Sequence, residues 1–343
     1  MTRFLVLFCL SVGLNAQILS PIMFGVDPDV KTPVDTNSGG SCTGSSGAWT
    51  CTGTTTVSFT DASADFIRYT NDGSTTPTFT TGTLFTSGVS TASTTTYQAV
   101  GCKVQNRKCG PVLTSVYTIA SISVVTSAVG QSNGFGGSIA TSGRTSGGSW
   151  NSTTGNTEVC AVRTADTGST ITVANGASQS FTGRSLFSSG PAGAWQWFYK
   201  TSITGTSMEV VTATITPYSN FLAIICYEVA NVSAVDAGLD AGGNTAGSTF
   251  TSPTFSTSTA AEIVFFGANV GATGRSFTAG AIGGVTASGL TCSGTSAGSC
   301  ASGDSPVAGA EYEVFASAQT SITAAINVSG ASIAGAYGAM GVH

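Results

Sequence analysis

A chain of 343 residues is long enough for about two domains. Its charged residues make up only 8%, against ~25% in an ordinary soluble domain, and its formal net charge is −5. With no basic patch, nucleic acid is excluded as a partner, and 45 glycines without Ala-Leu-Glu-Lys runs exclude a helical protein.

The chain opens with Arg3, then the apolar run Phe4 to Leu14, then Asn15, Ala16 and Gln17. A basic start, a short apolar stretch and a small exit residue describe a secretory signal peptide over residues 1–16, cut after Ala16. No other stretch approaches ~18 consecutive apolar residues, so no membrane span is expected after cleavage. The mature protein is expected to be secreted, extracellular or held at the cell surface. Cys9 leaves with the signal, and eight cysteines remain, an even number in a compartment where disulfides persist. Cys42 and Cys51, Cys102 and Cys109, and Cys292 and Cys300 each bracket a short loop. Cys160 and Cys226 are left, both in strand-like surroundings (TEVCAV, AIICYEV). Three local bridges and one long-range bridge are expected, although spacing alone does not prove connectivity. No CxxC pair is present and the single His is His343, so neither a metal nor a cofactor is expected.

Residues 17–37 read as an extended lead-in with Pro21, Pro28 and Pro33. Over 38–119, TTVSF, FIRYT, TTYQAV and SVYTI have strand character, and Asn71-Asp72-Gly73 marks a tight turn. IRYTNDGSTTP (Ile67 to Pro77), GTLFTSGVS (Gly82 to Ser90), TTTYQAVGCK (Thr94 to Lys103) and SVYTI (Ser115 to Ile119) follow one another in order. On these pieces, residues 53–119 resemble the chitobiase/β-hexosaminidase C-terminal-type β-sandwich domain. The resemblance implies an immunoglobulin-like sandwich that accompanies enzymes and surface proteins, and it implies no catalysis. The chain departs from that family where the Cys42–Cys51 loop replaces the usual Pro-Gly-Tyr opening. The Cys102–Cys109 loop is an addition.

A short apolar linker over 120–129 leads into GSTITVA, AWQWFYK, MEVVTATI, FLAIICYEV, EIVFFGANV, EYEVFA, TAAINV and GAYGAMGV. These strands, joined by Gly, Ser, Thr and Asn without intervening helices, indicate a larger jelly-roll-like sandwich over 120–343. AWQWFYK, MEVVTATI, FLAIICYEVANVSAVDAG and TAAEIVFFGA resemble sandwiches of secreted bacterial and phage-associated proteins of unknown role, and no residue role is carried across. The fold class is therefore all-β, with two β-sandwich domains, the first immunoglobulin-like.

Candidate chemistry is sparse. GTSAG (Gly294 to Gly298) matches G-x-S-x-G, but it falls inside the Cys292–Cys300 loop and His343 is a poor base at a terminus. Glu311 and Glu313, at i and i+2 of one strand, could flank a glycosidic bond, or could simply lie on a solvated face. Asp27 with Asp29, and Asp236 with Asp240, suit surface turns better than Ca²⁺ loops. Asn151, Asn231 and Asn327 stand in N-x-S/T sequons. Trp195, Trp197 and Tyr199 share one strand face and could stack on sugar rings, or could pack inward, as Phe198 on the opposite face suggests. Trp49, in the first cysteine loop, and Trp150, in a Gly/Ser-rich segment, are further ligand-binding candidates. The expected function is non-catalytic, an adhesin or carbohydrate-binding accessory protein with a polysaccharide or cell-surface glycan as partner. The alternatives are a self-associating subunit of a filament, surface layer or virion appendage, and a glycosidase.

Overall fold

The computed structural model describes residues 26–38, 41–52, 54–132, 136–140, 150–190, 192–219, 222–257, 261–271, 274–293, 300–302, 307–330 and 333–343. The expected signal peptide lies outside the described residues. Among those described, all elements are β-strands, and the sheets are those of β-sandwiches. The composition explains this, because Thr, Val, Ile and aromatic side chains pack well on a pleated surface.

Contacts group the chain into two compact units. One contains the described part of Met1–Val34 with Phe59–Thr86 and Tyr97–Thr114. In it, β5 (Phe66–Thr70) pairs with β6 (Thr83–Leu84) and with β8 (Thr95–Lys103). Phe59, Tyr69, Phe85 and Tyr97 form its aromatic centre, with ring centroids 5.4–6.3 Å apart. Cys102–Cys109 closes the turn between β8 and β9 (Lys108–Ala120). The expected lead-in is tied down from its first described residues. The Asp27 amide donates to the Cys109 carbonyl at 2.9 Å, and Asn106 Nδ2 donates to the Asp27 carboxylate at 2.5 Å.

The other unit contains Asp35–Ser58, Ser87–Thr96 and Ser115–His343. Its early strands are β1 (Val34–Ser38), β2 (Ser41–Ser45), β3 (Ala48–Thr52), β4 (Thr55–Thr60) and β7 (Val89–Thr91). Cys42–Cys51 clamps the β2–β3 hairpin, and β3 runs parallel to the end of β9. Within this unit β1, β4 and β7 form one sheet in the order β1-β4-β7, as the A, B and E strands of an immunoglobulin sandwich do. Asp35 is buried and its carboxylate accepts from Trp49 Nε1 at 2.7 Å, Tyr117 OH at 2.8 Å, Ser115 Oγ at 2.5 Å and the Gly47 amide at 3.1 Å. Desolvation would raise its pKa, but these donors together hold it below the ordinary carboxylate value.

The expected linker over 120–129 is instead mostly strand, because β10 (Ser123–Ser132) forms one edge of a five-stranded sheet. That sheet runs β10-β17-β12-β15-β14, with β12 (Thr157–Thr164), β14 (Thr182–Ser189), β15 (Gly193–Lys200) and β17 (Leu222–Ala230). A three-stranded sheet, β11 (Gly136–Ala140), β16 (Thr212–Ser219) and β13 (Thr170–Ala174), covers its one face in the order β11-β16-β13. A second sandwich repeats the plan. Its larger sheet has β27 (Ile333–Val342), β21 (Glu262–Asn269), β25 (Ala308–Phe315) and β24 (Gly289–Cys292) in order, with β18 (Val235–Asp236) and β19 (Gly242–Gly247) both on β27. The smaller sheet is β20 (Thr249–Thr251), β26 (Ala324–Val328), β22 (Phe277–Ile282) and β23 (Val285–Thr286). Chain order and sheet order agree strand for strand, β10 to β17 against β18/β19 to β27, with β23 as the extra element. The jelly-roll-like topology expected once over 120–343 therefore occurs twice.

The two larger sheets pack face to face, giving four layers and three apolar cores. Every residue of β12 and β21 is buried, since both faces of each strand meet another sheet. The middle core holds Trp195, Trp197, Tyr227 and Phe265. Three side chains bridge it: Trp197 Nε1 donates to the Gly338 carbonyl at 2.8 Å, Tyr227 OH to the Ala310 carbonyl at 2.7 Å, and Asn269 Nδ2 to the Ala194 carbonyl at 3.0 Å. Gly267 makes room for Trp195, because a Cβ there would stand 2.3 Å from the indole ring. Cys160 and Cys226, direct partners on β12 and β17, are joined by the long-range disulfide, and Cys292–Cys300 completes the expected set of four.

Two outcomes follow. Gly267→Ala should destabilise the protein by about 1–3 kcal/mol through overpacking, measured by denaturant unfolding. Replacing Cys160 and Cys226 together should cost about 4 kcal/mol from the freed unfolded-state loop of 66 residues, by the same measurement.

Candidate functional site

The aromatic candidates turn inward. Trp150, Trp195 and Trp197 are no more than 1% exposed, and Tyr199 is half-buried against the middle core. The β15 alternation therefore serves the contact between sandwiches, and no exposed three-ring platform exists on that strand. Trp49 is half-buried, with its ring stacked on Tyr117 at 6.3 Å and its N–H committed to Asp35.

The opposite face of β15 lines a cleft of about 380 Å³ in the first sandwich. Half-buried Phe181 supplies aromatic surface and Ala174 of β13 aliphatic surface, over a floor of the buried core residues Phe198, Ile171 and Val173. Polar groups come from Thr172, Ser180, Gln196, Thr212 and Thr214, and no ionisable side chain takes part. The Gln196 amide is oriented by its Nε2 donating to the Arg184 carbonyl at 2.6 Å. Gly183 lets β14 pass closely over this face, since a Cβ there would stand 2.9 Å from Gln196 Nε2. Sequence reasoning missed these residues. The available signal was the Gln196/Phe198 half of the AWQWFYK alternation, which was read for its tryptophans.

Phe181 is held by a buried polar network at the end of the same sandwich. The Phe181 amide donates to the Val173 carbonyl at 2.9 Å, and the preceding turn is closed by Asn175, whose Oδ1 accepts from the Gln179 amide at 3.0 Å. Asn175 Nδ2 in turn donates to Glu158 at 3.1 Å. Glu158, Glu209 and Glu228 are all buried. Glu209 accepts from Ser152 Oγ at 2.6 Å, Thr206 Oγ1 at 2.5 Å and the Gly176 amide at 2.7 Å. Glu228 accepts from Trp150 Nε1 at 3.1 Å, the Thr153 amide at 2.8 Å and Asn156 Nδ2 at 2.6 Å, so Trp150 serves as a structural donor. Desolvation first, then repulsion from Glu209 and Glu228, pushes the Glu158 carboxyl up to about 8, and it is protonated at neutral pH.

The remaining candidates are structural in their settings. Glu311 is buried inside the second sandwich, on the inner strand β25, not on a solvated edge. It accepts from the Gly280 amide at 2.9 Å, and desolvation raises it to about 7. Glu313 is half-buried and accepts from Ser288 Oγ at 2.6 Å. Asp27 and Asp236 each accept an amide two residues on, as turn carboxylates do, and Asp240 lies 3.9 Å from Arg184. Of the sequon residues, Asn151 Oδ1 accepts from the Met208 amide, Asn231 Nδ2 donates to the Ser121 carbonyl, and Asn327 Oδ1 accepts from Thr249. GTSAG lies outside the described residues. Among the described residues no group of three His, Cys, Asp or Glu side chains could hold a metal ion, and no helix is long and apolar enough to cross a membrane. No protein family, curated protein or solved structure matches the chain.

Because the folded-state pKa of Glu158 lies above its unfolded value, the associated stability is complete below about pH 4.5 and is lost as pH rises through about 8. Glu158→Gln keeps the shape and cannot ionise. It should match the wild type below pH 4.5 and exceed it by about 1–4 kcal/mol at pH 8.5, read from denaturant unfolding across that range.

Proposed function

We propose that this chain is an extracellular, non-catalytic binding protein whose first-sandwich cleft takes a neutral carbohydrate, as an adhesin or accessory module would. The lining of the cleft supports this reading. Phe181, half-buried, offers a flat apolar surface suited to the C–H face of a sugar ring, with Phe198 packed behind it in the core. Thr172, Thr212, Thr214, Ser180 and Gln196 offer neutral hydroxyl and amide groups, and there is no fixed charge to demand a charged ligand. The volume lies within the ~300–1,000 Å³ range of small-molecule sites. Four disulfides and a charge-poor surface suit an exported protein, and the chitobiase-type resemblance of residues 53–119 accords with an accessory role.

Titration of the mature protein with neutral, acidic and amino oligosaccharides tests the reading. Binding of a neutral sugar is expected, weakened roughly tenfold by Phe181→Ala and by Gln196→Ala. A preference for a charged sugar contradicts the proposal. If no sugar binds and light scattering shows large assemblies, the self-associating structural subunit takes its place.

A further inference from the structure

The cleft shares Thr172, Thr212 and Thr214 with the outer face of the three-stranded sheet. On β13 and β16 the residues alternate strictly. Ile171, Val173, Ala213 and Ile215 are buried, whereas Thr170, Thr172, Thr214 and Thr216 are exposed. The register places these threonines opposite one another, Thr170 with Thr216 and Thr172 with Thr214, and Ser138 of β11 extends the second row. Side chains on one sheet face stand ~4.8 Å apart between strands and ~6.8 Å apart along them, so the face carries a regular grid of hydroxyl and methyl groups. None of the three strands contains Asp, Glu, Lys or Arg.

Every sheet face has this spacing, but charged side chains ordinarily solvate an exposed one, and here the outward positions carry neutral hydroxyls instead. From the grid, its neutrality and its continuity with the cleft, we infer that the outer face of β11-β16-β13 is a docking platform for the ordered surface of an insoluble neutral polysaccharide. The inference rests on the carbohydrate reading of the cleft and specifies the physical form of the ligand. A neutral polymer surface presents hydroxyl and C–H groups at fixed spacing. The uncharged sheet complements it in charge, and the threonines complement it with one hydrogen-bonding and one apolar group each. The cleft then holds one chain locally while the sheet lies along its neighbours.

The test compares soluble and insoluble forms of the same polymer, using microcrystalline cellulose and chitin beside their soluble hexasaccharides. Thr170 and Thr216 lie outside the cleft, so variants there leave its lining intact. Thr216→Lys should lower the partition constant on the insoluble polymer at least tenfold, and the double variant Thr170→Val/Thr216→Val, which keeps the β-branched shape, several-fold. Hexasaccharide affinity should stay within twofold in both, with unchanged thermal unfolding of the double variant showing that the fold is intact. Unaltered retention of both variants on the polymer overturns the platform. Binding of the hexasaccharide by the wild type without retention on the polymer overturns the platform and leaves the cleft reading standing. Absence of binding to either form overturns both. A wild-type oligomer that dissociates in Thr216→Lys, with no polymer retention, reassigns the face to contact between copies of this chain.

Discussion

Double-sided burial of the two middle sheets governs this structure. Once β12 and β21 are covered on both faces, neither strand can carry an unpaired charge or an unbonded donor without a large desolvation cost. That constraint is met where a polar side chain of the middle sheets finds a partner across the shared core. Trp197, Tyr227 and Asn269 reach backbone carbonyls of the facing sandwich. Glu158 sits near the start of β12, where the covering sheet gives way to loops that can supply donors and where the protonated form is favoured.

The same constraint connects packing to the candidate site. The middle core takes the tryptophans of β15, and the opposite face of that strand is left to contribute Gln196 and Phe198 to the cleft. Strand period thus divides one eight-residue segment between the middle core and the interior of the first sandwich. The loop carrying Phe181 is fixed through Asn175 to Glu158, a buried carboxyl at the sandwich end. The cleft is neutral while charge is buried beside it, an arrangement that keeps the field of the carboxylates among their own donors.

Much of the fold was legible in the chain. Period-two stretches such as TTVSF and SVYTI identified their strands, and cysteine spacing identified the three local bridges, because both signals are local. Cys160 and Cys226 paired by remainder and by their strand-like surroundings. The doubling of the jelly roll was not legible. Its two copies share strand order and a buried Glu at the start of corresponding strands (Glu158 in TEVCAV, Glu262 in EIVFF), but they share too few side chains to reveal a repeat. Nor could the sequence say which face of AWQWFYK points outward, since both are apolar. Trp49 and Trp150 stand in Gly/Ser-rich stretches that read as exposed, and only long-range partners, Asp35 and Glu228, explain why they are drawn in.

The central claim is that the shared core makes the two sandwiches one cooperative block that presents the cleft on a rigid support. Native-state hydrogen exchange across β12, β17, β21 and β27 tests it most directly. A single opening free energy and a single denaturant dependence for the slowest amides of all four strands is the expected result. Two distinct values, one for β12 with β17 and another for β21 with β27, would show that the sandwiches open independently and would contradict the account.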